Sequence, residues 1–149
     1  MRADLHIHSR CSDGSLTVEE IVELAAERGL DLISLTDHDT VDGTKRAYAA
    51  AERFGISCIP GIEISAWDPH TQKKIHILGY AYRMHAPAIT TLCTPLLRLR
   101  NENTLRQIAA IHAYGLELSE EEVQNEAGES PVLYKQHIMA VLVRKGYTS

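Results

Sequence analysis

Little in this sequence is suited to oxidative cross-linking, to membranes or to gripping polyanions. Its three cysteines, Cys11, Cys58 and Cys93, form no C-x-x-C pair and are odd in number. That argues against a disulfide framework and predicts a reduced, intracellular protein. Cys11 is expected to be a small buried filler and not a soft metal ligand. No apolar run approaches the ~20 residues of a membrane span, and the N-terminus carries no apolar h-region. Neither membrane segment nor signal peptide is therefore expected, and the predicted location is the cytoplasm. Positive charge is also short: 15 Lys and Arg against 20 Asp and Glu give a formal net charge of −5. This balance disfavours a broad nucleic-acid-binding face. It leaves room for a small phosphorylated substrate, because bound divalent cations reverse the sign locally. Finally, there is no nucleophile elbow, P-loop or Gly-rich dinucleotide turn, so acyl-serine chemistry, Walker-type phosphate cradling and hydride transfer lack support.

What the chain does have is an ordinary globular composition, 44% hydrophobic and 23% charged over 149 residues, enough to bury a core. Asp4 to Ser9 reads as a strand on which His6 and His8 share a face while Leu5 and Ile7 take the other. Thr17-Val18-Glu19-Glu20 is a capping box that opens a helix stopped by Gly29. Leu30 to Leu35 reads as a strand covered on both faces. A helix from Gly43 to Phe54 follows, and then, over 56–61, a strand and its bend. Ile62 to Ser65 and Lys74 to Tyr80 alternate apolar and polar, the polar turn between them predicts a hairpin, and Ile75, Ile77 and Leu78 are expected to be buried around His76. The order is α/β with right-handed parallel crossovers. From about Met84 only helices are expected: Ala88 to Tyr114 with Arg98, Arg100 and Arg106 along one face, a short helix opened by the Ser119–Glu122 capping box, and a last one from Val132 or Leu133 to Lys145. The boundary between an α/β part (1–84) and a helical part (85–149) falls near 83–87.

The residues that carry chemistry cluster at strand ends: His6 and His8, Asp13 in the turn beyond, Asp37 and His38, Glu63, and His76. Active sites of α/β barrels and open α/β sheets gather at that edge. Two imidazoles one strand period apart can reach a common cation, and Gly14 is expected to let the Asp13 carboxylate fold back over the strand end. Each position also has a plainer reading. His38 could cap the following helix, Glu63 could face solvent on an edge strand, and His76 could be a half-exposed strand residue. A buried, unpaired Glu63, however, would carry a heavy desolvation cost. His70, His85 and His112 read as surface or packing residues. A mixed imidazole–carboxylate set suits Mn, Zn or Fe better than Mg alone, and the chemistry such a cluster serves is metal-assisted hydrolysis.

Asp4-Leu5-His6-Ile7-His8-Ser9, Ser12-Asp13-Gly14, Thr36-Asp37-His38-Asp39, Gly61-Ile62-Glu63-Ile64-Ser65 and His76-Ile77-Leu78-Gly79-Tyr80 together resemble the PHP (polymerase and histidinol phosphatase) domain. They are most similar to its stand-alone phosphoesterase branch. The resemblance implies an α/β fold, the N-terminal part of a distorted PHP-type β/α barrel, followed by a small helical insertion. It implies a phosphoesterase acting on phosphate esters of nucleotides or on short RNA ends, through two or three divalent metal ions. Carried over, His6, His8 and Glu63 would hold one ion, Glu63 and His76 part of a second, and Asp13 and His38 a third position or its surroundings. Asp13, His38 and Glu63 are thus the expected catalytic residues. Lys135 and His137 are the best match to the insertion residues that approach the substrate phosphate. PHP barrels also use a further histidine and a late Asp-x-His pair, which have no counterpart up to Ser149. The expectation is therefore a longer polypeptide, self-association with a partner chain, or an impaired site. A non-catalytic PHP-like module binding metal or nucleotide is the alternative, and an amidohydrolase-like metal hydrolase a weaker third.

Overall fold

The computed structural model describes residues 1–84 and 86–148, so the surface reading of His85 lies outside the described residues. Three parallel strands, β1 (Ala3–Ile7), β2 (Leu32–Leu35) and β3 (Ser57–Cys58), lie in the order β1-β2-β3. They are connected by α1 (Val18–Glu27) and α2 (Thr44–Phe54). The Thr17–Glu20 capping box forms as read, with the Glu20 N–H donating to Thr17 Oγ1 and the Thr17 N–H to Glu20 Oε2. Helix α1 buries Val18, Ile21, Val22 and Ala25, and α2 buries Ala47, Ala50 and Ala51. Ile33 and Leu35 meet these helices from one face of β2. Cys11 is buried in the same core, beside Val18, Ile21 and Leu35.

The hairpin β4 (Gly61–Asp68) and β5 (Lys73–Tyr80) runs in register from Gly61–Tyr80 to Asp68–Lys73. One parallel bridge ties it to the three-stranded sheet: the Asp39 N–H donates to the Glu63 carbonyl (2.9 Å) and the Glu63 N–H to the Asp37 carbonyl (3.2 Å). Gly61 permits this approach, since a Cβ there would lie 2.1 Å from Ser34 Oγ. The result is a mixed α/β fold whose strands do not close into a barrel among the described residues.

Helices α3 (Pro87–Ala113), α4 (Glu120–Ala127) and α5 (Lys135–Arg144) share a separate core of Ile108, Leu118, Val123, Ala127, Leu133, Ile138, Val141 and Leu142. Four expectations need correction. Of 56–61, expected as a strand and its bend, only Ser57–Cys58 is strand, and Gly61 already belongs to β4. The last helix starts at Lys135, since Tyr134 is still extended (φ −113°, ψ 155°) and its N–H is capped by His137 Nδ1 at 3.1 Å. The arginines of α3 do not share one face: Arg98 and Arg106 both reach Glu102, while Arg100 turns inward to Asp39. Residues two apart on a helix point in nearly opposite directions, whereas steps of four align. Ile75, Ile77 and Leu78, apolar as they are, are exposed and not buried. Strand β5 pairs with β4 alone, and every residue of it but Gly79 is exposed.

Candidate metal centre

The site begins with β1 and the loop after it. The β1–β2 register slips between Asp4 and Ile7. His6 within that interval and His8 just past it converge, with His6 Nε2 2.8 Å and His8 Nε2 3.0 Å from the same Glu63 oxygen, Oε2. The loop then folds tightly back. Asp37 accepts the Ser9 N–H (2.7 Å), the Ser9 hydroxyl (2.7 Å) and the Ser12 hydroxyl (2.6 Å). Asp37, one of the strand-end carboxylates, thus has its oxygens committed to the loop that presents Asp13. Gly14 sits where the loop crosses its own strand, and a Cβ there would lie 2.2 Å from the His8 carbonyl oxygen. Its φ is not positive, so close approach, not left-handed backbone, is what calls for glycine.

From β2, the stretch Thr36 to Thr40 is buried throughout. His38 stacks on the His8 ring at 4.6 Å. It spans two carboxylates, with Nε2 3.7 Å from Asp13 Oδ2 and Nδ1 3.8 Å from Glu63 Oε2. From the hairpin come Glu63 and, across the ladder, His76, whose Nδ1 lies 2.5 Å from Glu63 Oε1. Glu63 is therefore a buried carboxylate with four imidazoles around it. Asp13 closes the far side, 3.6 Å from His8 Nδ1.

The electrostatics follow from burial set against these partners. Desolvation works against a charged Glu63, yet the hydrogen bonds from His6 and His76 and the nearby rings of His38 and His8 hold its pKa below the ordinary carboxylate value. Burial pushes the His38 pKa down, opposed by Asp13. An ionised carboxylate beside a neutral imidazole is the protonation state that metal ligation requires. Three overlapping groups have donor atoms within 4.8 Å of one another: His6, His8 and Glu63; His8, Asp13 and His38; and His38, Glu63 and His76. In addition, His8 Nδ1 and His38 Nδ1 are buried without a hydrogen-bond partner. Buried polar atoms are nearly always satisfied, so two orphaned imidazole nitrogens among carboxylate oxygens fit a cation.

Lys135 and His137 fall differently. Lys135 is exposed at the first turn of α5. His137 is buried, its Nδ1 accepting the Tyr134 N–H, and its ring is also hydrogen-bonded to the Ser12 backbone. His70 and His112 are exposed, away from the cluster. Four residues near the site were not among the expected site residues: Asp39, Ser65, Arg100 and Tyr134. Ser65 lies two residues beyond Glu63, a strand period away on the same face, which was the available signal. No local pattern distinguishes Arg100 from its exposed neighbour Arg98.

The PHP domain model matches residues 4–141. A phosphoribosyl 1,2-cyclic phosphate 1,2-diphosphodiesterase from Eggerthella lenta is 41% identical over the whole chain, which covers 57% of that protein. A 3′,5′-nucleoside bisphosphate phosphatase from Chromobacterium violaceum is 40% identical over 114 residues, 76% of this chain and 39% of the relative. Among solved structures, an amidohydrolase from Chromobacterium violaceum, holding sulfate and no metal, superposes with a TM-score of 0.90 at 32% identity. That match takes in 99% of this chain and 51% of the other. The chain thus spans about half the length of the relatives it matches. By the extent of the family match, with the identity and fold similarity in agreement, this chain belongs to the PHP domain family.

Proposed function

We propose that the chain carries the metal-binding part of a phosphoesterase that hydrolyses phosphate esters of nucleotides or of short RNA ends. The observation that carries this reading is Glu63, buried yet held ionised by four converging histidines, with Asp13 opposite. Support for the substrate class comes from the relatives, which are named for a cyclic phosphodiester and a nucleoside bisphosphate. In this proposal His6, His8 and Glu63 hold one divalent ion, and His38, Glu63 and His76 a second. His8, Asp13 and His38 provide a third position. Mn, Zn or Fe is the expected metal, because imidazole-rich sites favour these ions. Bound there, such ions would polarise a phosphoryl oxygen and make a water nucleophilic near neutral pH.

The chain's own residues then have separate tasks. Glu63, with Oε2 toward His6 and His8 and Oε1 toward His76, would serve both positions. Asp13 is proposed to take the proton released as a water oxygen bonds to phosphorus and to pass it to the ester oxygen that leaves as the P–O bond breaks, while His38, a ligand beside it, holds its place. Lys135 and His137 are assigned to the phosphate side, Lys135 as the solvent-accessible cation. Residues 85–149 are proposed as a cap over an N-terminal part (1–84) that contributes to a distorted β/α barrel.

The test is hydrolysis of a nucleoside 3′,5′-bisphosphate, a nucleoside monophosphate and a generic phosphodiester by metal-stripped protein reloaded with Mn²⁺. Turnover that depends on Mn²⁺ and disappears in the His6→Ala/His8→Ala variant is expected. Metal uptake without turnover on any of the three would refute the catalytic reading and favour a binding module.

A further inference from the structure

We infer that Tyr134 and Arg100 are positioning residues: the helical part reaches through them to fix the backbone that presents His38 to the metal centre. The inference rests on metal binding at that centre. Tyr134 is fully buried, and its hydroxyl donates to the His38 carbonyl at 2.8 Å. Its ring is inclined 28° to the His38 ring, with centroids 6.2 Å apart, and lies beneath the Arg100 guanidinium at 4.7 Å. Arg100 Nη2 in turn donates to Asp39 Oδ2 (2.8 Å) and to Ser65 Oγ (2.6 Å). Asp39 is 1% exposed and also accepts the Ser65 N–H (2.7 Å) and hydroxyl (2.7 Å).

These bonds brace an uncommon backbone. Asp39 has φ +57°, in the left-handed region that non-glycine residues visit seldom, Asp more readily than most. The residue before it is His38, the one side chain common to the Asp13 group and the His76 group. Locking position 39 through its carboxylate and position 38 through its carbonyl sets the plane in which the His38 ring faces Asp13 and Glu63. Arg100 and Tyr134 come from different segments of the helical part, 34 residues apart by their numbers. Both end on this one dipeptide.

The group formed by His6, His8 and Glu63 does not include His38, which gives the test an internal control. The metal-stripped chain is titrated with Mn²⁺ in a calorimeter for the wild type, Tyr134→Phe, Arg100→Gln, Arg100→Lys and His38→Ala, with thermal midpoints measured alongside. In Tyr134→Phe and Arg100→Gln, binding at the His38-dependent positions should weaken by about tenfold or more, the usual effect of removing a group that orients a ligand. The His38-independent position should fill as in wild type, His38→Ala should show the same pattern more severely, and Arg100→Lys should recover part of the loss. Weakening spread evenly over all positions, or a lowered midpoint with an unchanged isotherm, would overturn the inference by making these residues structural only. Wild type that takes up Mn²⁺ with isotherms identical to the variants would overturn it too. Failure of the wild type to take up Mn²⁺ would refute the metal-centre reading along with it.

Discussion

A carboxylate shielded from water as Glu63 is cannot stay ionised unless its neighbours compensate. Here four imidazoles supply that compensation. His137 is the opposite case. Burial depresses its pKa below the ordinary 6.5, against the raising effects of its Ser12 hydrogen bond and Asp13. A base harder to protonate when folded binds fewer protons than in the unfolded chain, so stability is retained above about pH 6.5 and declines as pH falls below it. The variant His137→Gln should remove that slope while keeping an acceptor for the Tyr134 N–H, since Gln at this helix position can reach back to it. We expect the thermal midpoint of wild type to fall more than that of His137→Gln between about pH 7.5 and about pH 5.5. Parallel declines would mean that the His137 ring does not govern acid stability in this range.

At the scale of elements, the strand ends present the ligands and the loop after β1 decides whether Asp13 joins them. Replacing Gly14 by Ala forces a methyl to within 2.2 Å of the His8 carbonyl, so the loop must open. Asp13 and His8 should both shift, and Mn²⁺ binding should weaken by about tenfold or more while far-UV circular dichroism stays unchanged. Unaltered Mn²⁺ affinity in Gly14→Ala would show that the loop tolerates the methyl without moving Asp13. The helices and the hairpin were legible in the sequence because each rests on local chemistry: two capping boxes, glycine stops and alternation around a polar turn. The site was legible for the same reason, since its ligands sit at strand ends within short segments. What local pattern did not carry was tertiary: the inward turn of Arg100, the diversion of Asp37 into a serine clasp, and the exposure of Ile75 and Ile77. Each depends on which other part of the chain arrives alongside, and a helix or strand period says nothing about that.

At the scale of the whole molecule, the sheet and the helical part are joined at the candidate metal centre and left open at the hairpin. Trp67 and Ile77 are 53% and 51% exposed, and β5 offers an unpaired edge among the described residues. Exposed apolar strands of this kind promote association. Sedimentation velocity at micromolar concentration should therefore find this chain self-associated, and introducing charge with Ile77→Lys should shift it toward monomer. A wild type that stays monomeric would contradict that expectation without touching the site. The claim on which everything else depends is that Glu63 and its histidines bind a transition metal. The direct measurement is the elemental content of the chain purified without added metal, compared with that of the His6→Ala/His8→Ala variant. We expect at least one bound equivalent of Mn, Zn or Fe in the wild type and a clear deficit in the variant; equal content in the two would contradict the account.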